Sequence, residues 1–310
     1  MRVLTEVIKI TIFTAVTALL LSACGGGDGS KSKATSGPLS EKSFAQAFKK
    51  GNFKRIGRLT DEQAEKLSEY QGNYLNLVNL TELSPKQAFH LAKFRGKGLD
   101  LSGLTELPDS VAEYVSLSLA YRLYLNGLER ISAETAGHLA NYNGYEIFLN
   151  GITLVEVEEA EALSHYEGQA IYLNGIRYLT DQGAEVFAGF HVDYLSLNGI
   201  AQVNNAQLTS LASFRGKGLS LNGLTEINDY QAMALSVFGG DELFLDGIAK
   251  LSDHQAEVLS QYLGGYLHLG GLKCLNDYQA RALARYKGDL YMENLDALSS
   301  ELYHEYATQF

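Results

Sequence analysis

A unit of 24 residues recurs along most of this chain, and it constrains the fold more than any other feature. Aligned starts fall at Gly51, Leu75, Leu99, Leu123, Ile147, Ile171, Leu195, Leu219, Leu243, Leu267 and Leu290, spaced by 24 residues except for 23 at the last step. The consensus reads L-x-L-N-G-[LI]-x-x-[LI]-[ST]-D-x-Q-A-x-x-L-[AS]-x-[YF]-x-G-x-x. The stretches 94–107 (FRGKGLDLSGLTEL) and 214–227 (FRGKGLSLNGLTEI) nearly coincide and lie five units apart, which points to duplication of a five-unit block.

Each position of the unit has a physical reading. The alternation in Leu123-Tyr124-Leu125 predicts a short strand with one buried face. Asn-Gly follows at 126–127, 150–151, 174–175, 198–199 and 222–223. Both residues tolerate positive φ, so a sharp corner is expected there. A β-hairpin at each Asn-Gly, giving a β-β-α unit, is the rival local reading. Positions 6 and 9 are apolar and point inward. Ser, Thr or Asn at position 10 with Gln at position 13 forms a capping box, as in Thr60 with Gln63 and Ser252 with Gln255. An Asp between them suits the positive end of the helix dipole. Ala136, Leu139 and Ala140 show the i, i+3, i+4 stripe of a short helix. An aromatic at position 20 and a glycine at position 22, as in Tyr142 and Gly144, are expected to close it. One such unit cannot bury its own apolar face, whereas stacked copies can. About ten stacked strands would make a parallel sheet on the order of 50 Å long.

On these residues the chain resembles leucine-rich-repeat proteins, in their short variants of about 23–24 residues. The likeness is carried by the L-x-L strand and the apolar positions after it, for example Ile171, Leu173, Ile176 and Leu179, and covers roughly 51–310. It implies an α/β repeat solenoid with a parallel sheet on one face and short helices on the other. The chain departs from the family at one place. An inward Asn is expected three residues after the second strand leucine, but Leu80, Leu104, Leu128 and their equivalents stand there. The asparagine has moved to the Asn-Gly corner, where it forms either a hydrogen-bonded ladder or an exposed turn.

The N-terminus carries a different signal. Arg2 and Lys9 precede an apolar run from Ile10 to Leu21, the length of a signal-peptide core and short for a membrane span. Leu21-Ser22-Ala23-Cys24 then resembles the lipobox of bacterial lipoproteins, which implies cleavage after residue 23 and lipidation of Cys24. The likeness implies a lipid anchor in the cell envelope, and Gly25 rather than Asp after the cysteine favours the outer over the inner membrane. The expected organisation is a signal peptide at 1–23, lipidated cysteine and Gly-rich tether at 24–42, cap helix and degenerate repeat at 43–74, and solenoid at 75–310. The cap helix would use Phe44 and Phe48, and Tyr303 and Tyr306 would close the far end. The unit at Leu99 is aberrant: Pro108 takes the cap site and Ser118 and Ala120 replace the aromatic and the glycine, so a bend or altered helix is expected there.

Catalytic chemistry is not legible. No phosphate loop, G-x-S-x-G or H-E-x-x-H occurs. Beyond the anchor there is one thiol, Cys274, read as buried or incidental. Scattered histidines lack paired ligand spacing, and Glu156, Glu158, Glu159 and Glu161 suit a solvated helix start. Arg-Gly-Lys-Gly at 95–98 and 215–218 reads as helix-end charge beside a glycine cap. No enzyme, cofactor or metal is expected, and a net charge of −11 argues against nucleic acid and anionic membrane surfaces as general partners. The surface that invites a ligand is the outer face of the sheet. Position 2 places Tyr124, Phe148, Tyr172, Phe244, His268 and Tyr291 there, and the preceding position adds Tyr74, Arg122, Glu146, Tyr194 and Tyr266. Tyr124, Phe148 and Tyr172 would stand in a row, as binding anchors or as a cross-strand stack. The expected function is a non-catalytic binding module for a protein, peptide or glycan, with a structural spacer in the envelope as the alternative.

Overall fold

Three-residue strands recur at every unit from Leu75 onward in the computed structural model, which describes residues 35–295 and the backbone of 297–298. They are Tyr74–Asn76 (β1), Gly98–Asp100 (β2), Arg122–Tyr124 (β3), Glu146–Phe148 (β4), Ala170–Tyr172 (β5), Tyr194–Ser196 (β6), Gly218–Ser220 (β7), Glu242–Phe244 (β8) and Tyr266–His268 (β9). A short strand, Cys274–Leu275 (β10), precedes Asp289–Tyr291 (β11). All but β10 form one ten-stranded parallel sheet in chain order. Each residue pairs with its equivalent one repeat later, as Leu123 with Ile147. The hairpin reading is thereby excluded. β10 pairs in parallel with Ala297–Leu298 (β12) in a separate two-stranded sheet.

Helices alternate with the strands: Glu41–Lys50 (α1), Asp61–Ser68 (α2), Pro85–Leu91 (α3), Asp109–Val115 (α4), Ala133–Ala140 (α5), Val157–Leu163 (α6), Asp181–Ala188 (α7), Asn205–Ala212 (α8), Asp229–Ser236 (α9), Asp253–Leu259 (α10) and Asp277–Leu283 (α11). This is the two-layer solenoid that the repeat predicts. The core runs along it as ladders of equivalent residues. In one unit Leu123, Leu125, Leu128, Ala136, Leu139 and Tyr142 are all buried, and each meets its counterparts in the neighbouring units. The cap helix α1 begins at Glu41, capped by Ser40, and buries Phe44. The signal peptide, Cys24, the glycine run and Tyr303 and Tyr306 lie outside the described residues. Among those described, no helix is long and apolar enough to cross a membrane.

Capping boxes close six of the helices, at Thr60, Ser84, Asn204, Asn228, Ser252 and Asn276. The glutamine of each box does a second job. Its amide donates to a carbonyl in the preceding unit, as Gln231 to Val203 (2.8 Å) and Gln255 to Ile227 (2.9 Å). Where the unit has Thr135 instead, its hydroxyl takes the same role toward Leu107 (3.0 Å). The Asp of the first turn also reaches across: Asp253 accepts from Asn276 at 2.7 Å. These side chains tie successive helices together besides capping them.

Three expectations are corrected. The Asn-Gly corners need no positive φ; among the described residues only Gly51, behind α1, has one, at 61°. The corner glycines are instead places of close backbone approach. A Cβ on Gly127, Gly151, Gly175, Gly199 or Gly223 would fall within 3.0 Å of two carbonyl oxygens of the preceding unit. Nor does the position-22 glycine cap a helix: a Cβ on Gly144 or Gly168 would run into the ring of Tyr142 or Tyr166, which folds back over it. Finally, the Leu99 unit does not bend. Pro108 stands at the N-cap of a regular α4, where a missing N–H costs nothing, and its carbonyl accepts from Val111 and Ala112. Strand pairing continues unbroken on both sides.

Candidate functional site

The corner asparagines resolve into a ladder. The Oδ1 of Asn126 accepts from the backbone N–H of Asn150 (3.1 Å), Asn150 from Asn174 (3.0 Å), Asn174 from Asn198 (2.8 Å) and Asn198 from Asn222 (2.8 Å). Asn222 and Asp246 extend it to Asp246 and Gly270. The ladder flanks the sheet and satisfies N–H groups that leave the strands without a sheet partner. It holds the position-2 side chains in register beside it.

Those side chains form two stacks. Tyr124 lies 4.4 Å from Phe148, and Phe148 4.3 Å from Tyr172, all nearly parallel. Farther along, Phe244 lies 4.2 Å from His268, and His268 4.4 Å from Tyr291. Each ring thus spends its faces on its neighbours. Phe148, in the middle, is only 6% exposed, so the expected row of open aromatics is corrected: the rings offer edges and the two end faces. Burial pushes the Tyr124 hydroxyl up to about 12 and raises that of Tyr172. Both therefore remain neutral hydrogen-bonding groups at physiological pH. Burial lowers the His268 pKa, with Asp246 opposing it, which favours the neutral ring between its neighbours.

Between the stacks, Ser196 and Ser220 replace the rings. Ser196 Oγ donates to Asn174 (2.7 Å) and Ser220 Oγ to Asn198 (2.7 Å). The gap spans three strand spacings, about 14 Å between Tyr172 and Phe244. Tyr194 borders it. Its ring lies across Gly218, where a Cβ would meet the ring within 3.0 Å, and its hydroxyl donates to Glu242 at 2.8 Å.

The first block repeats this plan. Asn76 and Asp100 precede the Tyr124 stack, as Ser196 and Ser220 precede the Phe244 stack. The Tyr74 ring lies across Gly98, and its hydroxyl accepts from Arg122 at 3.4 Å. The charge beyond the glycine has the opposite sign. Arg122 also donates through Nε and Nη2 to Glu146, at 2.6 and 3.2 Å, a two-pronged pair in which Glu146 is 9% exposed. Burial works against the charge on Arg122, but the Glu146 hydrogen bonds and charge outweigh it, so the guanidinium proton is held more firmly than in water. Glu146 is therefore a buried partner and not the free surface carboxylate the sequence suggested. Tyr266 remains exposed beside Tyr291, with ring centres 6.4 Å apart.

The Arg-Gly-Lys-Gly motifs acquire a meaning that sequence reasoning missed. Gly96 and Gly216 make room for the internal rings of Phe94 and Phe214, while Gly98 and Gly218 make room for Tyr74 and Tyr194 on the sheet face. The signal was the two-residue glycine spacing, repeated five units apart. Cys274 is free and exposed rather than buried. Among the described residues, no group of three or more His, Cys, Asp or Glu side chains is placed to hold a metal ion.

No family model matches the chain, and no curated protein matches it. Solved structures do. An internalin F from Listeria monocytogenes is 14% identical over 80% of this chain and 75% of its own, with a TM-score of 0.46. An internalin C2 from the same organism is 14% identical over 86% and 99%, with a TM-score of 0.37. The Toll–Spätzle complex of Drosophila is 13% identical over 83% and 44%, with a TM-score of 0.39.

Proposed function

We propose that this protein is a non-catalytic binding module of the bacterial cell envelope, lipidated at Cys24 and engaging a protein, peptide or glycan through the face of its sheet. One observation carries the binding reading: the same surface plan occurs twice, five units apart. Each copy has two small or polar residues, then three stacked rings, and a tyrosine crossing a glycine to reach a charged residue two units on. The fold does not demand rings in this row, because Asn76, Asp100, Ser196 and Ser220 occupy it without breaking the sheet. Rigid ring edges, hydroxyls and carboxylates on a preformed sheet suit a binding surface. The Leu21–Cys24 motif supports the anchor, and Gly25 supports the outer membrane.

The test uses the gap. Ser220→Tyr should continue the stack into the gap and block it, while Tyr172→Ala and Phe244→Ala remove its end walls. A partner captured from envelope extracts by the parent chain should be lost with Ser220→Tyr while thermal unfolding stays cooperative. Capture unchanged by all three substitutions would reject the sheet face as the binding surface and favour the spacer. Metabolic labelling with a radioactive fatty acid should mark the parent chain and not Cys24→Ser; a Cys24→Ser chain that takes up the same label would reject the anchor.

A further inference from the structure

The loops that run from each helix to the next strand form one edge of the solenoid, and the exposed aliphatic side chains gather there. Among the described residues, the four leucine and valine side chains that are more than half exposed are Leu117 (53%), Leu119 (51%), Val237 (77%) and Leu263 (91%). All four lie on this edge. Leu117 and Leu119 belong to the unit that lost its internal aromatic and glycine to Ser118 and Ala120. Ser118 and Ala120 are buried, whereas the positions of Leu117 and Leu119 face outward here as their equivalents do in the neighbouring units, so leucine at both is not a requirement of the core. Tyr121 and Tyr145 continue the patch as an exposed pair stacked at 4.1 Å. The preceding loop adds Lys93, Arg95 and Lys97, all exposed. The same order, diluted, recurs five units on, with Arg215 and Lys217 ahead of Val237. There Lys217 is paired with Asp193 at 2.8 Å.

We propose that this edge lies on the lipid bilayer to which the anchor holds the protein, a reading that rests on the lipidation of Cys24. Exposed leucines beside tyrosines and a basic cluster are the elements that seat a protein in the headgroup region: aliphatic groups enter, tyrosines stay at the boundary, and cations meet anionic lipid. The chain as a whole is acidic, at −11, so the local basic cluster gives the molecule a side that faces an anionic surface while the remainder is repelled. Only eleven residue steps separate Cys24 from Thr35, a contour of at most about 40 Å, so the anchored domain works at the membrane surface. With the edge down, the sheet face stands to the side and open to a partner.

The chain from Gly25 onward carries the whole described fold and no lipid, so its flotation with vesicles reports the edge alone. With vesicles of phosphatidylethanolamine and phosphatidylglycerol in equal parts, the parent chain should float, less so at high salt. The combined variant Leu117→Ser, Leu119→Ser, Val237→Ser and Leu263→Ser should partition roughly tenfold more weakly or worse. Leu154→Ser, on the opposite edge, should float like the parent, and circular dichroism should be the same for all three. A parent chain that stays at the bottom, or a fourfold variant that floats equally, overturns the proposal while leaving the Cys24 test untouched. A Cys24→Ser chain that takes up labelled fatty acid as the parent does overturns the anchor and this proposal's premise with it.

Discussion

The two blocks of the solenoid differ in what they have kept. Their interior is nearly interchangeable: Phe94 and Phe214 fold over Gly96 and Gly216, and one asparagine ladder runs through both. Their sheet faces share a plan but not a charge. In the first block the tyrosine meets Arg122, which is locked to Glu146; in the second it meets Glu242, and His268 replaces Phe148 at the centre of the stack. Contacts between adjacent units fix the interior, because any change there must fit two neighbours at once. The sheet face touches solvent on one side, so it was free to diverge.

The sharpest contrast between constrained and free positions is expected at the glycines. Gly151→Ala would drive a Cβ into the carbonyls of Asn126 and Leu128, which cannot step aside, and should cost about 3 kcal/mol or more in urea unfolding. Gly137→Ala, in α5 with open space around it, should be neutral or stabilise by up to about 1 kcal/mol. Equal effects would break the distinction. Next in size are the carboxylates. Glu146→Ala leaves Arg122 without its partner and should cost about 2 kcal/mol, whereas Glu242→Ala removes one hydroxyl bond and should cost about 1 kcal/mol or less. Smaller again is the pair of face glycines. Gly218→Ala meets a Tyr194 ring held by Glu242, while Gly98→Ala meets a more loosely held Tyr74, so the first should cost more, by about 1 kcal/mol.

The smallest expected effect separates the stacks by pH. His268 has its pKa lowered by burial, so the unfolded chain takes up the proton first as pH falls. Its contribution to stability is whole above about 6.5, the unfolded value, and is lost as pH falls from there toward the lower folded value. Thermal unfolding should therefore show a small loss across that window, absent in His268→Phe. A loss of the same size in His268→Phe would place the titration elsewhere.

Much of the fold was legible because the repeat states it many times over. The strand at Arg122–Tyr124, one residue from where the Leu123–Leu125 alternation puts it, the capping box at Ser252 and the stripe of Ala136 and Leu139 follow from local periodicity. What escaped were interactions between units. Gly127 reads as a turn residue, since its sequence neighbours give no hint of the Ser102 carbonyl against it. Gln231 reads as a cap because its bond to Val203 spans 28 residues. The aromatic row was placed correctly, but its stacking and the burial of Phe148 depend on strand spacing and not on composition. Leu117 and Leu119 look like core residues in a list, and only the register of the unit turns them outward.

The binding role of the sheet face is tested most directly by photo-crosslinking in the native envelope. A photoreactive amino acid placed at Ser220, in the gap between the stacks, is compared with one at Tyr230, exposed on α9. A discrete adduct from position 220 and none from 230 is the expected result. An adduct from 230 alone, or none from either position, would contradict the assignment of the sheet face.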